Sequence, residues 1–265
     1  MPFKFRLLLL LLSLLLCLSG CAQNNSGKLE SAIKLFANGD YAEAAEAFEK
    51  LGDYSTAPTY AAYSRGLVLY EQGQYSAAEP YFAKTREFMY GEERYQYCHA
   101  IALMEAGQFG EAAAAFAKMD EFEDAAMQRE YCLARHAEET KDYESALYSY
   151  EAAGLLHDAQ DRLINLQGQL YNRAIALKAE GNYASAMTLF TMLGDYLSAA
   201  DQAIECKEVG LEQQYTDAEA LVAAGDLRGA FDLFLALSSY RDAADRAEVL
   251  AGQLGIEIKA GDDIY

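Results

Sequence analysis

One short helical pattern recurs six times along this 265-residue chain and restricts its fold more than any other feature. Each copy centres on an aromatic or leucine residue: Tyr41, Tyr75, Phe109, Tyr143, Tyr183 and Leu227, at intervals of 34, 34, 34, 40 and 44. A fixed period of this size marks supersecondary units that stack on their neighbours, because one unit alone cannot bury its apolar face. Length alone would suggest one or two compact domains. The repeat predicts a continuous stack instead.

The unit can be read from its centre outward. Two residues before it stand Gly39, Gly73, Gly107, Gly181 and Gly225, with Lys141 in the fourth copy. Glycine there allows the left-handed backbone that ends a first helix. Three residues after it stands an alanine in every copy: Ala44, Ala78, Ala112, Ala146, Ala186 and Ala230. Seven after it stands a ring: Phe48, Phe82, Phe116, Tyr150, Phe190 or Phe234. Offsets of 0, 3 and 7 share one face of an α-helix. Nine before it the side chain is small: Ala32, Gly66, Ala100, Ala134, Ala174 or Ala218. Small residues facing one another let two antiparallel helices approach closely, with the rings filling the space around them.

The unit also ends regularly. Thirteen residues after the centre come Tyr54, Phe88, Phe122, Leu156, Tyr196 and Tyr240. Two residues on, Thr56, Asp124, Asp158, Ser198 and Asp242 suit the N-cap of the next helix, worth about 1 kcal/mol each. The apolar residue before the cap would staple onto that helix. Tyr90-Gly91 interrupts the cap pattern. The longer intervals add six and ten residues around Gly168 and Gly210, which predicts longer or kinked first helices there. The expected fold is all-α, with about six antiparallel helix hairpins between residues 28 and 250.

At these residues the chain resembles the tetratricopeptide repeat family, in both the order of small, glycine, aromatic, alanine and aromatic positions and the 34-residue period. The resemblance implies a right-handed superhelical solenoid with a concave groove for an extended or helical peptide. Leu51-Gly52-Asp53-Tyr54 and Leu193-Gly194-Asp195-Tyr196 are similar to segments of surface proteins of Gram-positive bacteria. Two departures stand out. The family's proline between units is replaced by the capping residues. Apolar positions early in the first helix are often polar, as at Gln96, Glu130 and Gln214, and at Arg65, His99 and Arg173. Which face of the first helix is buried is therefore open.

Residues 1–20 read as an export signal. Lys4 and Arg6 precede a run from Leu7 to Leu18, 12 residues that are apolar except for Ser13. A spanning helix needs about 20. The run ends in Leu18-Ser19-Gly20-Cys21, which resembles the lipobox of bacterial lipoproteins and implies cleavage before an acylated Cys21. An ordinary secretory signal, or an uncleaved anchor, is the other reading. Acyl chains contribute about 0.8 kcal/mol per buried methylene. Residues 21–27 would then be a tether of at most about 25 Å. The implied address is a bacterial membrane, on the outer face of the cytoplasmic membrane or facing the periplasm. Residues 251–265 form a tail that either caps the last helix or stays unstructured.

Lysine and arginine total 21 against 41 acidic residues, for a net charge of −20. Such a chain repels phosphate backbones, which argues against nucleic acid. The charge is either a solvated, self-repelling surface or a field that draws in a basic partner. The sequence lacks a phosphate-binding loop, a CxxC, an HExxH and a nucleophile elbow. His99, His136 and His157 fall at unrelated positions of the unit, so no catalytic, metal or cofactor site is expected. Cys98, Cys132 and Cys206 read as small packing residues.

A second ladder lies twelve residues before each centre: Leu29, Tyr63, Tyr97, Tyr131, Tyr171 and Tyr215. Glu71, Glu105 and Glu139 stand four before it in the middle units. The family resemblance places both positions in the concave groove, where tyrosine offers contact area at low entropic cost and glutamate favours a basic segment. The other reading makes the tyrosines a packing layer. The candidate partner-binding residues are thus Tyr63, Tyr97, Tyr131, Glu71, Glu105 and Glu139, for a protein or peptide partner of basic character. The expected role is a non-catalytic, membrane-anchored scaffold. The alternative is a structural lipoprotein subunit of an envelope assembly complex.

Overall fold

The computed structural model describes residues 24–119 and 121–257, and all regular structure among them is helical. The chain divides after Gln160 into two compact units. The first contains α1 (residues 24–38), α2 (Tyr41–Glu49), α3 (Ala57–Glu71), α4 (Tyr75–Ala83), α5 (Gly91–Glu105), α6 (Phe109–Phe116), α7 (Ala125–Thr140) and α8 (Tyr143–Ala153). The helix α9 (Ala159–Ala179) begins just before the division. The second unit continues with α10 (Tyr183–Leu193), α11 (Ala199–Ala224), α12 (Leu227–Ala236) and α13 (Ala243–Leu254). Successive helices pair as hairpins, and in the first unit α2, α4 and α6 each pack on the first helix of the following hairpin. The all-α repeat architecture is the one the period predicts.

All six first helices end in the same way. The amides of Asp40, Gln74, Gln108, Asp142, Asn182 and Asp226 donate five residues back, to carbonyls of Leu35, Leu69, Leu103, Ala137, Leu177 and Leu221, at 2.9–3.0 Å. This bond needs a left-handed residue before the donor. Glycine supplies it in five copies and Lys141, at φ 62°, in the fourth. The alanines three residues after each centre and the rings seven after it are wholly buried. Over Gly66 the approach is close: a Cβ there would stand 2.9 Å from the Phe82 ring.

The added residues lengthen the first helices without breaking them. The helix α9 has 21 residues and α11 has 26, against 15 in α3 and in α5. At 1.5 Å per residue the six and ten extra residues extend them by about 9 and 15 Å. Of the polar departures, Arg65, Gln96, His99 and Glu130 are partly exposed and Arg173 and Gln214 exposed, and two of them bridge neighbouring hairpins. The Arg65 fork donates to both oxygens of Glu49 at 2.8 and 2.9 Å, and His99 Nδ1 meets Glu79 at 2.9 Å. Each joins a first helix to the second helix before it.

One expectation is corrected. Thr56, Asp124, Ser198 and Asp242 occupy the N-cap position, yet none accepts a side-chain capping bond from its own helix. Asp124 has φ −101° and ψ 17°, and Asp242 −100° and 19°, whereas an accepting N-cap uses extended backbone. The residue before each is left-handed: Ser55, Met89, Glu123, His157, Leu197 and Arg241 lie at φ 49–53°. Side-chain caps occur instead on second helices, where Asp142, Asn182 and Asp226 accept from the amides of Ser145, Ser185 and Gly229. The stapling expectation changes with it. The rings of Phe88, Phe122, Tyr196 and Tyr240 pack back, edge-on or tilted, on the tyrosine of their own hairpin.

Cys98, Cys132 and Cys206 are free and buried, and burial pushes the thiols of Cys98 and Cys132 up to about 12. They pack and do not react. Among the described residues no helix is long and apolar enough to cross a membrane. Residues 1–20, read from sequence as an export signal, Cys21 and residues 258–265 of the tail lie outside the described residues.

Candidate binding groove

The tyrosine ladder is a packing layer, the second of the two readings left open. Tyr63 and Tyr97 are 2% exposed and Tyr131 6%. Each ring lies between its own first helix and the ring seven residues beyond the hairpin centre, with centroids 5.6 Å apart for Tyr63 and Phe82, 5.8 Å for Tyr97 and Phe116, and 6.5 Å for Tyr131 and Tyr150. A partner cannot lie across these faces. Burial raises the pKa of all three hydroxyls, so they remain protonated.

Those hydroxyls explain the residues first read as caps. Tyr97 donates to Asp124 at 2.5 Å, Tyr131 to Asp158 at 2.7 Å, and Tyr215 to Asp242, while Tyr171 and Ser198 share a bond of 2.8 Å. Each bond spans 27 residues and ties a first helix to the connector that begins the next hairpin. Tyr90 offers no acceptor, and there Arg94 Nη1 donates to the Tyr63 hydroxyl at 2.7 Å. Arg94 replaces an acceptor with a donor, and the phenol serves either way.

The three glutamates remain at the surface. Glu71 and Glu105 are the last residues of α3 and α5, and Glu139 is in the last turn of α7. All are exposed. A helix C-terminus carries negative partial charge, and none of these last turns holds a basic residue. Each carboxylate therefore stands where local electrostatics favours a cation. Glu105 accepts from the Ser76 hydroxyl. Among the described residues Glu71 and Glu139 make no ion pair or hydrogen bond.

Two of the glutamates and one tyrosine line a common recess of about 630 Å³, with Phe109, Arg135, His157 and Asp158. Glu71 is not part of it. Arg135 is the residue that sequence reasoning missed. Arg135 Nη1 donates to the Tyr131 hydroxyl at 3.1 Å, and its guanidinium lies 4.1 Å from the Phe109 ring centroid. The one available signal was local: four other copies carry an aliphatic residue at that register, at Ile33, Leu67, Ile101 and Ile175. His157 stacks on Tyr131 at 4.7 Å and its Nε2 meets Gln128 at 2.9 Å, which leaves it in packing and hydrogen bonding. Among the described residues no group of histidine, cysteine or acidic side chains could hold a metal ion.

The fold and this groove define an all-α helical-hairpin repeat protein. No protein-family model matches the chain, and no curated protein is detectably similar to it.

Proposed function

We propose that the chain is a non-catalytic, lipid-anchored scaffold that binds a basic segment of another protein along the glutamate-bearing ends of its first helices. The observation that carries this reading is the placement of Glu71, Glu105 and Glu139. Three successive hairpins put an exposed carboxylate at the negative end of a helix dipole, and two of the three are unpaired. A lysine or arginine of a partner relieves that repulsion in each case. The tyrosines hold the helix ends in place from within and are not contact residues. The resemblance to tetratricopeptide repeats and to bacterial lipoproteins supports the anchored, peptide-binding form of this role.

The test is crosslinking in native membranes, followed by mass spectrometry, on the parent chain and on the triple variant Glu71→Lys, Glu105→Lys, Glu139→Lys. Capture of a basic partner should fall at least about tenfold, or about 1.4 kcal/mol. Unchanged capture by a variant with an unaltered melting curve defeats the reading.

A further inference from the structure

The sixth hairpin is followed by a first helix without a second among the described residues. The helix α13 begins after Asp242, which takes the Tyr215 hydroxyl as the earlier connectors do. Counted from that connector residue, Gly252 stands at the register of Gly66, Ala100 and Ala134, and Val249 at that of Tyr63, Tyr97 and Tyr131. In α3 the space over Gly66 is filled by the Phe82 ring of α4, whereas nothing lies within 4 Å of a Cβ built on Gly252. Val249 is 60% exposed where the tyrosines of its register are covered. The open face is a groove of about 630 Å³ lined by Leu235, Ala247, Ala251, Gly252 and Ile256. Asp245 and Glu248 line the same groove, and among the described residues they are exposed and unpaired.

We propose that α13 is a docking face for a basic amphipathic helix of a partner protein. That helix packs on α13 as α4 packs on α3, sets a large side chain over Gly252 and lays its cations on Asp245 and Glu248. The register argues for a helix and the charge for a basic one. A second copy of this chain presenting the same face would oppose Asp245 and Glu248 to themselves. Residues 258–265 carry Asp262 and Asp263 against a single Lys259, also a poor match. The face is separate from the glutamate groove and does not depend on it.

The probe is a stapled helical peptide with the sequence of α2, Tyr41–Glu49, carrying Glu43→Lys, Glu46→Lys and Glu49→Lys. Fluorescence anisotropy should show saturable binding to the full chain. Gly252→Leu, which fills open space on a helix, should weaken it at least about tenfold, as should Asp245→Lys with Glu248→Lys. The triple change at Glu71, Glu105 and Glu139 should leave it unaltered. The proposal is overturned by no binding at about 1 mM peptide, or by binding that both α13 variants retain. It is also overturned if a chain ending at Glu257 binds about tenfold more tightly, since residues 258–265 would then occupy the groove. Concentration-dependent dimerisation abolished by Gly252→Leu would assign the face to a second copy and overturn the partner.

Discussion

Asp124 can be read in two ways from sequence, as the cap of α7 or as an acceptor for a distant side chain, and the two roles have different energetic signatures. The structure gives it the hydroxyl of Tyr97, 27 residues earlier. Asp124→Ala leaves that buried hydroxyl without an acceptor, at a cost of about 1–3 kcal/mol, and Tyr97→Phe removes the donor at a cost of about 1 kcal/mol. Because both changes delete the same bond, the double variant should cost little more than Asp124→Ala alone. Urea denaturation of the four proteins measures the coupling. Additive costs would return Asp124 to a capping role. Asp242 shows the same bond from the other side, since the Tyr215 hydroxyl holds its carboxyl below the ordinary carboxylate range. A depressed carboxyl contributes stability above its unfolded pKa, about 3.9, and loses it as pH falls through the folded value.

At the scale of the helix, termination is the step that sequence foresaw best. Six first helices close with the same five-residue backbond, and the glycine before the donor is left-handed in five of them. Lys141 adopts the same conformation with a side chain, which costs about 1–2 kcal/mol. Lys141→Gly should therefore stabilise the fold by about 1 kcal/mol, seen as a raised urea midpoint with an unchanged slope. A loss of stability would mean that the lysine has a compensating role. The connector between hairpins was harder to foresee. Its left-handed residues are Ser55, Met89, Glu123, His157, Leu197 and Arg241, none of them the glycine or asparagine that usually announces such backbone.

For the whole molecule, charge outweighs individual ion pairs. A net charge of −20 repels itself, and ion pairs such as Lys34 with Glu30 and Lys50 with Glu46 are largely exposed, so they contribute little. Salt shortens the reach of that repulsion, to about 10 Å at 0.1 M. The melting temperature should rise with sodium chloride in a differential scanning calorimetry series. A fall would mean that surface ion pairs carry more of the stability than their exposure indicates.

Period and local chemistry sufficed for the hairpins, the buried alanines and rings, the left-handed ends of first helices and the lengthened α9 and α11. These depend on residues at most a few turns apart, where helical geometry fixes who meets whom. Sequence could not decide between groove and core for Tyr63, Tyr97 and Tyr131, because a tyrosine with a polar tip suits both. Tertiary packing decided it, by closing a second helix over each ring and bringing an acceptor from 27 residues away to Tyr97 and Tyr131. The same packing placed Arg135 beside Glu105 and Glu139 and left Gly252 uncovered, since both follow from which helices lie side by side.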